Sequence, residues 1–302
     1  MTEEMNRYEL RNRYVFTGRL VMLTAFHIGT GDVRMTASSS DSPVVRTPEG
    51  VPFIPGSSFK GALRSTIEKL VPGLPGEWSS CGLVQFSKET GQQAQEEAQK
   101  EGKQLCSTAW SADLAERKRR HPETAEQVRK ELLDRLCDTC RLFGSPFAAS
   151  HVSINDLYMP LEEWSGVIQV RDGVAIDRDS EKAKDRLKYD FEVVPSMTAF
   201  ELEMTLENAS QKDLQLLSVG LGEYMHGFGT IGGKRSRGLG ACRLEGPQVY
   251  KLELTGIDEA ERNRRLRNYL LEKELKKQFS KEDNGEAFLN TYISQIFEGA
   301  SL

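Results

Sequence analysis

Two helical runs, each with one apolar stripe and each set between β-type runs, limit what this chain can fold into more than any other feature. Ser57 to Leu70 carries Phe59, Leu63, Ile67 and Leu70 on a single face. Asp213 to Tyr224 carries Leu214, Leu217, Val219, Leu221 and Tyr224 behind Ser210, a favourable N-cap. Around them lie alternating or β-branched runs at Arg13 to Ala25, His151 to Tyr158, Phe200 to Leu206 and Leu239 to Leu244. Pro43 to Pro55 has two short apolar stretches about Pro48-Glu49-Gly50 and predicts a hairpin. With the long intervening segments set aside, the order is strand, helix, strand, strand, helix, strand. An α+β core of the ferredoxin-like or RRM (βαββαβ) type follows. That topology hosts many activities, so function has to be read from sites.

The segments set aside are three. From Pro72-Gly73-Leu74-Pro75-Gly76 the periodicity fails over a length unusual for a plain connection, so 71–140 reads as an insertion. It holds Cys81, Cys106 and the pair Cys137-Asp138-Thr139-Cys140. Four sulfurs of this kind close a tetrahedral shell, and a segment without a core of its own gains order from a metal clip, so a structural zinc is expected. The alternative is two buried thiols and a redox pair, and His121 or His151 is a possible substitute for one sulfur. Five cysteines, an odd number, argue against a disulfide framework. Gln92 to Arg135, rich in Glu, Lys and Gln, reads as solvated helix surface. The second segment, 165–195, has two β-like arms about a charged middle and predicts a projecting hairpin, or thumb. The third, 255–302, is a charged helical tail.

Forty basic and 45 acidic residues leave a net charge of −5, so any surface for a polyanion must be local. Two stretches qualify. Pro55 to Arg64 is a loop running into a helix start, with Ser57 and Ser58 where an N-cap is wanted and Lys60 and Arg64 four residues apart, which predicts a phosphate seat. Gly227 to Gly240 holds six glycines together with Lys234, Arg235 and Arg237 and no acid, and lets backbone amides approach a phosphate chain. It lacks the lysine-serine ending of a nucleotide P-loop. Arg141 to Phe147 places Arg141 and Ser145 beside Phe143 and Phe147, which serve either a nucleic-acid strand or the core. Upstream, the small polar run Ala37 to Ser40 delivers Asp41 just before Pro43, an acid suited to phosphodiester chemistry. His27 follows the end of the first strand, either as a hydrogen-bonded loop residue or near substrate. No apolar run is long enough to cross a bilayer, and the first residues lack the apolar centre of a signal peptide, so the expectation is a cytoplasmic protein with no membrane partner.

Taken together, these motifs resemble the RAMP-type backbone subunits of type III CRISPR effector complexes. The resemblance is carried by His27-Ile28-Gly29, Asp41-Ser42-Pro43-Val44, Ile54-Pro55-Gly56-Ser57-Ser58-Phe59-Lys60-Gly61, Cys137-x-x-Cys140-Arg141-Leu142-Phe143-Gly144-Ser145 and the glycine-rich loop, in order from about residue 14 to 245. It implies a modified RRM core forming one domain, a zinc-bearing insertion, and a thumb wedged into the guide–target duplex. The implied partners are guide RNA (crRNA), target RNA and other subunits of the complex, including copies or paralogues of the chain itself. The implied activity is an endoribonuclease acting on target RNA within the assembled complex. Asp41 is the catalytic acid by motif position, with His27 as a helper in proton transfer. An ordinary aspartate, with a pKa of about 3.9, is a feeble base toward a ribose hydroxyl, so a divalent cation (Mg or Mn) is expected to assist transesterification. Two other readings stay open: a scaffold subunit without catalysis, and a repeat-processing endoribonuclease of the same superfamily.

Overall fold

The computed structural model describes residues 9–29, 42–81, 106, 116–117, 119–124, 127, 130, 133–134, 136–145, 148–176 and 183–298. Its elements in chain order are β1 (Asn12–Met22), α1 (Gly56–Leu70), α2 (Asp138–Phe143), β2 (Val152–Ile154), β3 (Gln169–Ile176), β4 (Ala183–Val193), β5 (Ala199–Glu207), α3 (Gln211–Met225), β6 (Cys242–Glu253), α4 (Glu259–Leu271), α5 (Leu275–Gln278), β7 (Ser280–Lys281) and α6 (Gly285–Phe297). Short 3₁₀ turns join some of them.

Strand β1 lies at the centre because both of its edges are paired, antiparallel, with β5 on one side and β6 on the other. β2 extends the sheet beyond β5 and β7 beyond β6, giving the antiparallel order β2-β5-β1-β6-β7. Alternation of side chains sorts the two faces. Phe200, Leu202, Met204 and Leu206 of β5 turn inward, while Glu201, Glu203 and Glu207 face solvent. The inner face joins Tyr14, Phe16, Leu20 and Met22 of β1 to Phe59, Leu63 and Ile67 of α1 and to Leu214, Leu217, Leu221 and Tyr224 of α3. Ser210 starts α3 as expected, in a reciprocal capping box with Asp213.

Sequence reading ends the last core strand at Leu244, whereas β6 runs on to Glu253 across Gly246-Pro247. A register shift opposite Thr17 to Arg19 accommodates the break. The expected hairpin within Pro43 to Pro55 is present in reduced form. Arg46 bridges Pro52, and Gly50, at φ +83°, donates to the Thr47 carbonyl. The strand expected at His151 to Tyr158 shrinks to Val152–Ile154, with Leu157 bridging Ile54.

β3 and β4 form a separate two-stranded antiparallel sheet, tied to the end of β1 where Phe26 bridges Val194. At the other end of the chain, Leu266, Tyr269, Leu275 and Phe279 pack on Val15, Tyr250 and Leu252, covering the outer side of β1 and β6. α6 returns to the inner side, where Phe288 meets the rings of Tyr14 and Phe16. Among the described residues no helix is long and apolar enough to cross a membrane.

Candidate nucleic-acid interface

The end of β1, the base of the β3–β4 hairpin, the glycine-rich loop and the segment after Asp41 converge on His27. Its ring is buried, with Nδ1 2.7 Å from the backbone carbonyl oxygen of Glu192 and its plane nearly perpendicular to that of Phe191. Its own carbonyl accepts from Gly233 N at 2.9 Å. Gly232 is obligatory there, because at φ +82° a Cβ would stand 2.4 Å from the His27 carbonyl oxygen. Glu192 does more than hold the imidazole. Its amide donates to the Ser42 carbonyl at 3.0 Å, and its carboxylate accepts from Val44 N at 3.0 Å and pairs with Arg46. Asp41 lies outside the described residues, as do the Ala37 to Ser40 run and Phe147. Ser42, the next residue in the chain, is thus fastened to the same strand residue that holds His27.

The glycine-rich loop closes back on the segment after β1, with Gly240 N donating to the Ala25 carbonyl and Ile231 N to the Gly240 carbonyl. Of its three cations, Arg235 is exposed. Lys234, at φ +59°, instead lays its ammonium over the rings of Phe191 (4.4 Å to the centroid) and Tyr189 (5.1 Å). Arg237, otherwise exposed, donates to the Tyr189 hydroxyl.

The seat predicted at the start of α1 is organised differently. Ser57 and Ser58 are not the N-cap. The helix begins at Gly56 behind Pro55, and the Gly56 amide donates to the carboxylate of Asp156 at 2.8 Å. Ser57 remains exposed and Ser58 half-buried. Lys60 and Arg64 turn into the protein rather than toward a ligand. Lys60 Nζ donates to Ser150 Oγ (2.8 Å) and the Val152 carbonyl (2.9 Å), and burial next to Arg64 lowers its pKa. Arg64 bonds Glu68, the Gly144 carbonyl and, at 3.1 Å, the sulfur of Cys140. The physical reason is the insertion: its return to the core needs donors for its carbonyls and sulfur, and this face of α1 supplies them.

Those contacts end at the cysteines. Cys81, Cys106, Cys137 and Cys140 are all buried, with every Sγ within 4.8 Å of the others. A tetrahedral zinc with Zn–S of about 2.3 Å sets its sulfurs about 3.8 Å apart, so the set fits such an ion with small adjustments. Backbone amides point at two of the sulfurs, Cys137 N at Cys106 (3.3 Å) and Cys140 N at Cys137 (3.4 Å). Hydrogen bonding from Cys106 draws the Cys137 thiol down to about 7, while contact with the other sulfurs pushes Cys106 and Cys140 up. Four sulfurs in one buried place cannot all ionise without a cation, which is what a thiophilic divalent ion provides. Asp138 ties the segment that carries the first ligand to α2 by accepting from Ser79 N and Oγ. Neither histidine is needed: His121 is exposed beside Glu123, and His151 lies 3.5 Å from Asp213.

Arg141 and Ser145 flank the turn at Gly144, both half-buried, and Phe143 belongs to the core. Sequence reasoning missed Glu192, Tyr189 and Phe191. Their signal was faint: an acid between apolar residues at the end of a β-arm, indistinguishable from surface alternation.

The description "RAMP superfamily" belongs to a family model that matches residues 19–243. Locally the chain is similar to proteins named CRISPR system Cms endoribonuclease Csm3. It is 44% identical over 61 residues to that of Enterococcus italicus (20% of this chain, 28% of that protein). For the Methanothermobacter thermautotrophicus protein the figures are 39% over 59 residues (19% and 24%). For that of Mycobacterium tuberculosis they are 43% over 54 residues (18% and 23%). Each match spans about a quarter of the relative's length.

Proposed function

The chain belongs to the RAMP superfamily, and from that membership we propose that it is a crRNA-binding backbone subunit of a type III CRISPR effector complex that cleaves guide-paired target RNA. The relatives' printed names support an endoribonuclease of a CRISPR system. We read the order β2-β5-β1-β6, with α1 and α3 between the strands, as an RRM-type core, and the segments 71–140, 165–195 and 255–302 as zinc-bearing insertion, thumb and tail of a single cytoplasmic domain.

The observation that carries the reading is the junction at His27. In this proposal the thumb enters the guide–target duplex and splays a base pair, which lets a target 2′-hydroxyl swing into line with the adjacent phosphate. The Glu192 carbonyl can only accept, so His27 Nδ1 holds the proton and Nε2 is left as an acceptor toward the Gly29 side, from which the Asp41 segment departs. Nε2 then takes the hydroxyl proton as the oxygen attacks phosphorus and the bond from phosphorus to the 5′-oxygen breaks; water protonates that oxygen, leaving a cyclic phosphate and a 5′-hydroxyl. A divalent cation, Mg or Mn, held by Asp41 and phosphate oxygens, would supply charge neutralisation at the phosphorane. The Glu192 carboxylate is committed to Val44 and Arg46, so among the described residues of this junction it is no competing ligand. Guide phosphates meet Arg235 and Arg237 of the glycine-rich loop, with Ser57, Ser58, Arg141 and Ser145 as further contacts, while base pairing selects the target. Other subunits, copies or paralogues of the chain among them, continue the filament along the guide.

Asp41→Ala in a complex assembled on guide RNA is the test. Retained guide and target binding with cutting abolished is the expected result. Unchanged cutting would reject Asp41 as the catalytic acid and favour the scaffold reading, and cleavage of guide precursor in chelator would favour the repeat-processing one.

A further inference from the structure

The three cations of the glycine-rich loop are not equivalent, and the geometry divides them. Arg235 faces solvent. Lys234 sits over two aromatic rings of β4, closer to Phe191 than to Tyr189, and Phe191 in turn packs against His27 with the ring planes at 78° and a centroid distance of 5.9 Å. Phe191 and Val193 also pack with Ala25 and Leu239, so one small core joins the hairpin base to the C-terminal end of the loop and to the segment that follows β1. Lys234 also holds a left-handed backbone conformation that its side chain does not favour, kept by the turn in which Arg237 N donates to the Lys234 carbonyl.

We propose that Lys234 is a positioning residue: its ammonium clamps the base of the β3–β4 hairpin onto the glycine-rich loop and thereby fixes Phe191 against His27, instead of contacting guide phosphate. The clamp links the loop that meets RNA to the hairpin and to the imidazole through one stack, Lys234–Phe191–His27. Its role in cleavage rests on the function proposed above; its role in holding the hairpin does not. A guanidinium stacks on aromatic faces as an ammonium does, so Lys234→Arg preserves the clamp, whereas Lys234→Ala removes it.

Two measurements on the full chain separate the cases. Amide hydrogen exchange of Phe191, Glu192 and Val193 in the protein without RNA should quicken several-fold in Lys234→Ala and return to the starting rate in Lys234→Arg. Exchange unchanged in Lys234→Ala overturns the clamp whatever the protein's function. In the guide-loaded complex, Lys234→Ala should keep the salt dependence of guide binding and lose roughly tenfold in the cleavage rate at saturating target, with rescue by Lys234→Arg. A salt slope lowered by about 0.7 would instead make Lys234 a single-strand phosphate contact and overturn the proposal. A starting protein that neither binds guide nor cuts target rejects the proposed function, and the exchange experiment still decides the clamp.

Discussion

The Nδ1 atom of His27 lies 2.7 Å from the backbone carbonyl oxygen of Glu192. That one contact joins a residue in the segment after β1 to one 165 positions later on β4, and it fixes which ring nitrogen carries the proton. An asparagine can put its amide donor where Nδ1 stands but has no counterpart of Nε2. His27→Asn should therefore keep stability within about 1 kcal/mol, and His27→Ala should lose about 2–3 kcal/mol by stranding a carbonyl and opening space beside Phe191. Both should slow target cleavage by about 10²-fold or more if Nε2 takes the proton. Denaturation midpoints and single-turnover cleavage check this, and a His27→Asn enzyme that cuts at full speed removes the imidazole from the chemistry.

The cysteine cluster predicts about one zinc per chain by elemental analysis, as a closed four-sulfur site requires. Arg64 reaches Cys140 at 3.1 Å and its guanidinium offsets negative charge that the thiolates put into the core. Arg64→Ala should weaken metal retention by about 10–100-fold, the usual effect of removing an outer partner of a ligand. Titration with a chromophoric chelator reads it directly, and equal retention by the two proteins would make the contact incidental.

Lys60 and Arg235 should separate cleanly in binding experiments. Lys60→Met keeps the aliphatic stem but leaves Ser150 Oγ and the Val152 carbonyl without their donor, at a cost of about 1–3 kcal/mol in stability. It should not change the salt slope of RNA binding. Arg235→Ala should do the opposite, lowering the slope by about 0.7 while leaving the denaturation midpoint in place. A lowered slope in Lys60→Met would return that lysine to the phosphate seat.

Sequence periodicity located α1, where the burial of Phe59, Leu63 and Ile67 is what a 3.6-residue period encodes, and it found α3 through Leu214, Leu217 and Leu221, although that helix is buried on every side from Asp213 to Gly222. The cysteines were legible for a similar reason, since four thiols in one insertion have few other uses. The internal contacts of Lys60 and Arg64 were not legible. Spacing puts Lys60 and Arg64 on one face but does not say what that face meets, and here it meets the return of the insertion. Glu192 was invisible for the same cause. Its four contacts reach Ser42, Val44, Arg46 and His27, all about 150 residues away, and no local pattern records a long-range hydrogen bond. The glycine-rich loop was found, but its division of labour was not, because a lysine over aromatic rings and a lysine in water have the same neighbours in sequence.

Asp213 gives the acid limb of stability a specific origin. The carboxyl is 2% exposed, and Oδ2 accepts from the Ser210 hydroxyl (2.7 Å) and amide (2.9 Å) with His151 Nδ1 at 3.5 Å. Burial alone would raise its pKa, but the neighbouring His151 ring and the hydrogen bonds from Ser210 outweigh that and hold it below the ordinary carboxylate value. The sign follows from linkage. A carboxyl whose folded pKa is depressed contributes its full stability above the unfolded value of about 3.9 and loses it as pH falls through the folded one. Asp213→Asn should thus cost about 1–2 kcal/mol at neutral pH, as for a weakened cap, and the gap to the starting protein should narrow below about pH 4. Urea midpoints from pH 7 down to pH 3 measure both proteins on one scale. Two curves that stay parallel through the acid range would mean that Asp213 titrates alike in folded and unfolded chains, and its hydrogen bonds would then owe nothing to its charge.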